Sequence, residues 1–549
     1  MKKSFLLFCA ASMMLTTSAQ NIANRQTCLQ RLQQEVAASP KAAAVRSAMK
    51  QQMQQAPARV NGPSIAPEGT PVYYEMSAWM SFEIGLEYIE GMANTLYFAE
   101  DGKTVYLGSL FPANFYTNDL WSRGTIDGNA LTIDSKSPVF TLDLGDDETE
   151  NLYVGEVYFY EYYGEMYYGA KDIVMVKDGD HYYIDDDQLN PQRTFLLYMQ
   201  DNYGDIEPID MMYCYDFKPY TGNTTKVEVP AAAISADYIY YSLDTYGDKT
   251  AIKGTVATDG SDYYFNYLIP GISPVWAKGT REGDKVTLKT GQFLTADTGY
   301  YLYFSGFAPT SYDNASGQYK GDACDVTFSL AADGTLTLDN PQSRFITALQ
   351  NDGSQYDCVY EHRIVPYAGD VPLVPSKPYE VMLSPDYTGG EGMYFDFNQT
   401  NLSEDGEYLN PECLGYYIYF DEEVATFKKE LYGAISADEM TLMPFGYTDA
   451  FGYDFYSAGG WNEIYLYDTN FEKVGVQAVY TVGDEARVSN IIYVDQNGEV
   501  TEEVPAGLAA VPSVPSAPAT WYDLSGRRMG TAAQRGISIR GGKTVMANI

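Results

Sequence analysis

Trp121-Ser-Arg-Gly124-Thr125-Ile-Asp-Gly128-Asn-Ala-Leu131-Thr132-Ile133 recurs without a gap, 155 positions later, as Trp276-Ala-Lys-Gly279-Thr280-Arg-Glu-Gly283-Asp-Lys-Val286-Thr287-Leu288. Five of the 13 positions are identical. Arg123/Lys278, Asp127/Glu282, Leu131/Val286 and Ile133/Leu288 are matched in kind. A repeat of this length implies two copies of one folded module. Within each copy, Asp127-Gly128-Asn129 or Glu282-Gly283-Asp284 separates two β-type runs, which is hairpin chemistry because glycine enters φ > 0 without steric cost.

Working outward, Asp101-Gly102 precedes a β-type run that ends near Pro112, and Asp259-Gly260 precedes one that ends near Pro270. Further on, Asn190-Pro-Gln192-Arg-Thr-Phe195 parallels Asn340-Pro-Gln342-Ser-Arg-Phe345 at a shift of 150. Two modules follow, 67–228 and 229–375, each of several short antiparallel strands that must close into a barrel or pack as a sandwich to protect their edges. Loops that differ between copies are where duplicated scaffolds place recognition, and each module is expected to fold on its own. Residues 376–504 lack the repeated signature. Leu414–Asp421 there reads as a central strand, and Val474–Tyr480 leads through Gly483-Asp484 into Val488–Tyr493 as a hairpin. A Pro-rich linker, 505–520, precedes a short C-terminal hairpin in 521–549. The expected fold class is all-β.

Lys2 and Lys3, the apolar run from Phe5 to Leu15, and small residues ahead of Gln20 form a secretory signal peptide, 1–19, cleaved between Ala19 and Gln20. Residues 20–66, rich in Gln, Ala and basic side chains, read as a helical or disordered spacer. No later stretch has the ~18 consecutive apolar residues of a membrane span, so no integral membrane segment is expected. Five cysteines remain after export, too few for a disulfide scaffold.

The net charge is −39. The segments 1–66 and 521–549 together carry +11, which leaves −50 on the body between them. Such a surface repels phosphate backbones and anionic lipid, so nucleic acid is excluded as a partner, while neutral glycans, cations and basic peptides remain. With two histidines in the chain, His181 and His362, paired-histidine catalysis and the HExxH metal helix are absent, and both read as surface or edge residues. There is no Gly-x-Ser-x-Gly elbow and no dinucleotide fingerprint. Asp185-Asp186-Asp187 and Asp146-Asp147-Glu148 lack the alternating calcium-loop pattern. No cofactor, metal or catalytic residue is assigned. The 51 tyrosines suit half-buried sheet faces, and exposed rings also stack on sugars. Trp121 and Trp276 are the candidate binding residues, with buried anchoring behind the Gly-Thr hairpin as the competing reading.

The hairpin order around Gly-Thr-x-x-Gly resembles lipocalin-like modules of secreted Bacteroidetes proteins, and the 474–493 hairpin resembles the end of a fibronectin type III sandwich. Tyr522, Asp523, Gly526 and Arg527, followed by Gly536, Gly542 and Lys543, resemble the last strands of the type IX secretion sorting domain. That resemblance implies periplasmic transit, surface or extracellular display and an export machinery as partner. The functional expectation is a non-catalytic surface protein that binds a neutral glycan or host matrix protein. The alternatives are a secreted glycan hydrolase with paired carboxylates and a structural adhesin stalk.

Overall fold

The computed structural model describes residues 66–504, apart from 83–84, 109, 112–119, 146–147, 163–164, 187–192, 201–204, 273, 298, 315–316, 342, 387–391, 450–451 and 453. It also describes Leu32 and four C-terminal strands. The cleavage pair Ala19/Gln20, the spacer apart from Leu32 and Ala66, the Pro-rich linker, and the tail residues Asp523, Gly526, Arg527 and Gly542 lie outside the described residues. Two compact units form: Met1–Gly369 with Thr448–Tyr453, and Asp370–Tyr447 with Asp454–Ile549.

The first module consists of β1 (Thr70–Phe82), β2 (Gly85–Phe98), β3 (Thr104–Leu107), β4 (Ser122–Asp127), β5 (Ala130–Ile133), β6 (Phe140–Gly145), β7 (Glu148–Tyr162), β8 (Glu165–Lys171), β9 (Ile173–Asp178), β10 (His181–Tyr183), β11 (Thr194–Gln200) and β12 (Ile206–Pro219). Eight of them pair in the order β1-β2-β3-β4-β5-β9-β10-β12, and β12 returns to β1, closing an antiparallel barrel. The remaining four, β11-β7-β6 with β8 on β7, form a wing hung from β12.

Module 2 repeats this strand for strand. Its elements are β13 (Ile234–Leu243), β14 (Lys249–Asp259), β15 (Asp262–Phe265), β16 (Ala277–Glu282), β17 (Lys285–Leu288), β18 (Gln292–Asp297), β19 (Tyr300–Asp313), β20 (Gln318–Cys324), β21 (Val326–Leu330), β22 (Leu336–Leu338), β23 (Phe345–Leu349) and β24 (Gln355–Pro366). The barrel order is β13-β14-β15-β16-β17-β21-β22-β24, closed by β24 on β13, with the wing β23-β19-β18 and β20 on β19. Closure removes the exposed edges that an open sheet of this size would present.

The quoted repeat is the β4–β5 hairpin of one barrel and the β16–β17 hairpin of the other. Gly128 and Gly283 turn it at φ 58° and 66°. Gly124 and Gly279 have a different role: both face the barrel interior. A Cβ on Gly124 would lie 2.7 Å from Leu131 Cδ1, and one on Gly279 would lie 2.9 Å from Val286 Cγ1. A side chain at either position overpacks a core that the large apolar residues of the opposite strand already fill.

One strand serves both ring and wing because it is bulged. β1 pairs with β12 at Ser77–Asp216 and again at Trp79–Tyr213, with Cys214 between at φ 53°. The second barrel repeats this between Tyr241–Arg363 and Leu243–Tyr360, with Glu361 at φ 49°. The extra residue bends the strand so that one half closes the barrel and the other carries the wing. Just past the bulge, Tyr215 donates its hydroxyl to Leu110 O at 3.1 Å in module 1. In module 2, His362 Nε2 meets Leu268 O at the same distance. Each ties the loop ahead of the repeated tryptophan to the closing strand. His362 is therefore a core anchor, 1% exposed, and not the surface or edge residue expected. Period-two alternation alone does not show which face of a strand a bulge turns inward.

The barrels share a tyrosine-rich contact. Phe293, Tyr301 and Ala93 are buried together with Tyr73, Tyr220 and Tyr303 around them. Tyr220 stacks on Tyr301 at 3.8 Å between centroids. The Tyr301 hydroxyl donates to Tyr74 O at 2.5 Å, and Ala93 N–H donates to Gly299 O at 2.7 Å. Covering this apolar surface is favourable.

Unit 2 is a sandwich. Its strands are β25 (Tyr379–Pro385), β26 (Met393–Asn398), β27 (Leu414–Phe420), β28 (Glu423–Val424), β29 (Phe427–Lys428), β30 (Glu439–Met440), β31 (Leu442–Pro444), β32 (Phe455–Ala458), β33 (Trp461–Leu466), β34 (Lys473–Val482), β35 (Glu485–Val488), β36 (Ile491–Asp495) and β37 (Val500–Glu503). One sheet runs β25-β26-β33-β32 and the other β28-β27-β34-β36-β37, with β31 on β27 and β35 on β34. Phe395, Phe397, Ile464, Val474 and Val476 are fully or almost fully buried between them. At the C-terminus, β38 (Trp521–Tyr522), β39 (Arg528–Met529), β40 (Gly536–Arg540) and β41 (Lys543–Ala547) make a small antiparallel sheet in the order β39-β38-β40-β41. Tyr522, Gly536 and Lys543 lie on its strands.

Candidate functional site

Trp121 and Trp276 take equivalent places, each one residue ahead of its barrel strand, β4 or β16. Trp121 is only 6% exposed and meets Tyr97 edge-on, with centroids 5.1 Å apart at 86°. Trp276 is half-buried. In unit 1 the exposed rings lie elsewhere, on the wings and on the β13–β14 turn.

A cleft of about 430 Å³ opens in the second module between the β13–β14 turn, the β19–β20 hairpin and the start of β24. Tyr246, Tyr312, Tyr319, Tyr356 and Tyr360 supply its aromatic lining, with Thr245, Gln318, Gln355 and Asp357 as polar groups. Tyr246 stands at the mouth, 90% exposed, on a turn held by Asp244, whose Oδ1 accepts from the N–H groups of Tyr246 and Asp248. Tyr312 and Tyr319 meet edge-to-face at 4.9 Å.

The amides brace this wall. Gln355 N–H donates to Gln318 Oε1 and Tyr319 N–H to Gln355 Oε1, both at 2.8 Å. Hydrogen bonds of this kind fix β20 against β24 and hold the rings without a ligand. Burial raises the Asp357 carboxyl above the usual range, and the charge of Asp244 adds to the effect. The N–H groups of Cys358 and Gly271 partly offset it by hydrogen-bonding the charged form. Burial also pushes the Cys358 thiol up to about 11, so it is not the thiolate that nucleophilic chemistry requires. Rigid aromatic faces with a few fixed acceptors suit a ligand that has an apolar face and hydroxyl donors.

Module 1 carries rings on the equivalent hairpin, β7–β8. Tyr158, Tyr160 and Tyr167 are each close to half exposed. They form a ladder with spacings of 5.9 Å from Tyr158 to Tyr160 and from Tyr160 to Tyr167. The Tyr158 ring lies over Gly169, opposite it in register, where an added Cβ would come within 2.8 Å of the ring. One ring face is thus fixed and the other left open.

His181 is half-buried and pairs with Asp216, Nε2 to Oδ1 at 2.5 Å, while Lys218 Nζ reaches the other carboxylate oxygen at 3.2 Å. This resembles the base and orienter of a catalytic dyad, but no hydroxyl or thiol is hydrogen-bonded to His181 among the described residues. Asp186 Oδ2 accepts from Arg193 N–H at 2.7 Å, while Asp187 and the pair Asp146-Asp147 lie outside the described residues. Among the described residues no group of three or more His, Cys, Asp or Glu is placed to hold a metal ion. Cys324, Cys358 and Cys413 are free thiols. No helix among the described residues is long and apolar enough to cross a membrane.

No protein-family model matches the chain, and no curated protein matches it in sequence.

Proposed function

We propose that the protein is an exported, non-catalytic binding protein whose ligand is a neutral glycan, held in the module 2 cleft and on the module 1 tyrosine ladder. The observation that carries this reading is the braced cleft, where five tyrosines line a pocket whose amides are already fixed. The matching place of the ladder on the other module supports it. Eight strands closing in an up-and-down ring interrupted only by the wing favour the lipocalin-like resemblance. The sandwich order β25-β26-β33-β32 against β28-β27-β34-β36 corresponds to A-B-E-D against C′-C-F-G, which favours an immunoglobulin or fibronectin type of unit, a common spacer.

The test is a glycan array read with the mature chain and with Tyr246→Ala, Tyr312→Ala and Trp121→Ala. Each exposed tyrosine change is expected to weaken binding about fivefold, from the ~1 kcal/mol that a single stacked ring contributes, with the melting temperature unchanged. Trp121→Ala is expected to lower the melting temperature, because its ring is buried. Binding that survives both tyrosine changes at full strength would remove the cleft from consideration.

Export rests on the signal peptide and the tail. The secreted chain is expected to begin at Gln20 by N-terminal sequencing, and deletion of 521–549 to abolish surface exposure. Unchanged exposure of the deleted chain would mean that the tail is no sorting signal.

A further inference from the structure

The outer face of the β25-β26-β33-β32 sheet holds an arrangement that the glycan reading does not use. Asp396 on β26 lies directly opposite Glu463 on β33. Directly opposed side chains in an antiparallel pair are about 5 Å apart at Cβ, and like charges there destabilise the sheet. Asp396 is only 7% exposed, and its Oδ1 has no hydrogen-bond partner among the described residues. A buried acceptor without a donor is costly and calls for a donor from water or from a ligand.

The surroundings are aromatic and acidic. Register places Tyr394 and Asn398 beside Asp396 on β26, Trp461 and Tyr465 beside Glu463 on β33, and Tyr456 across from Glu463 on β32. Tyr394 meets Tyr465 edge-on at 5.1 Å, and Tyr456 meets Trp461 at 5.8 Å. Two further carboxylates stand at the rim, Asp386 accepting from Tyr465 Oη and Asp454 from Tyr467 Oη, both at 2.9 Å. Met382 and Tyr467 are close to half exposed, so the patch opens to solvent at its edge. Asp396 and Glu463 form no ion pair with a cation among the described residues.

Three ligand chemistries offer donors to Asp396 Oδ1. A neutral hydroxyl would satisfy the oxygen but leave two carboxylates facing each other. A hard metal ion takes six or more oxygen ligands, and these two acids belong to no metal-holding group. A primary ammonium supplies three N–H donors and a positive charge, and it gains further from aromatic faces around it. We propose that this face binds a primary alkylammonium, the head of a lysine side chain on a basic partner, with Asp396 and Glu463 accepting its N–H donors and the Tyr394, Tyr456 and Trp461 rings flanking its stem. The −39 net charge of the chain steers such a partner towards it. Burial and the Glu463 charge raise the Asp396 carboxyl to about 6.

The test is a calorimetric titration of the full chain with n-butylammonium chloride, against sodium chloride at equal ionic strength and at pH 7.5. Wild type is expected to show saturable binding beyond the sodium control. Asp396→Asn and Glu463→Gln are expected to weaken it at least tenfold while raising the melting temperature of the unliganded sandwich. Four results would overturn the proposal: no binding beyond the sodium control, equal binding by Asp396→Asn, a lowered melting temperature in that variant, or an oligosaccharide bound or cleaved in an Asp396-dependent way. The last would make the pair a sugar site or an acid/base couple.

Discussion

Tyr301→Ala is expected to cost the first unit about 4 kcal/mol, the largest loss from any single truncation argued for this chain. The ring is fully buried between the two barrels, and removal of a buried aromatic ring typically costs ~3–5 kcal/mol through lost transfer energy and the cavity left behind. Tyr301→Phe separates the contributions. It keeps the ring stacked on Tyr220 and removes only the hydroxyl that donates to Tyr74 O and Asn94 O, at about 1 kcal/mol. Differential scanning calorimetry of the full chain is the measurement. Both barrels should melt in one transition in wild type and in two in Tyr301→Ala. An alanine variant that loses no more than the phenylalanine variant would show that the barrels share no core.

The expectation drawn from sequence, that 67–228 and 229–375 each fold alone, is the alternative that this measurement decides. The repeat itself is legible because its constraints are local: Gly128 and Gly283 must turn, and Gly124 and Gly279 must leave room. From those residues the duplication and the all-β class follow. The barrel contact is not legible, because Tyr73, Tyr220 and Tyr301 read like any other strand tyrosines until two modules bring them together. The bulge at Cys214 and Glu361 carries no glycine to announce it. Repeated tryptophans draw attention as ligand platforms, yet Trp121 is held inside by Tyr97. The cleft is assembled from a turn near Tyr246, a hairpin near Tyr312 and a strand near Tyr356, so no contiguous motif encodes it. A sequence signal did exist in the tyrosine clusters, but only closure of the fold tells the exposed rings from the packed ones. Asp396 and Glu463 are likewise far apart in the chain and meet only through strand register.

The two units are expected to respond to acid in opposite directions through two buried groups. His362 in unit 1 is held neutral by burial, its folded value lowered to about 4 from the ordinary ~6.5. Between those values the unfolded chain binds a proton that the folded one refuses. Its contribution is therefore present above pH ~6.5 and lost as pH falls through about 4, up to about 3 kcal/mol. Asp396 in unit 2 is the reverse case, with a folded value of about 6 against ~3.9 unfolded. The folded chain binds the proton first, so stability is greatest below pH ~4 and lost as pH rises through about 6, again by about 3 kcal/mol. Other carboxylates titrate too. Asp325 and Asp339 are lowered by lysine partners and add to the acid sensitivity of unit 1, and Asp357 opposes it. Glu463 is raised by burial and adds to the effect in unit 2. Variants isolate the two groups. Calorimetry from pH 7.5 to 4.5 should show the unit 1 melting temperature falling, less steeply in His362→Phe. The unit 2 transition should rise over the same range and lose most of that rise in Asp396→Asn. If Asp396→Asn leaves the slope of the unit 2 transition unchanged, the facing carboxylates do not share a proton.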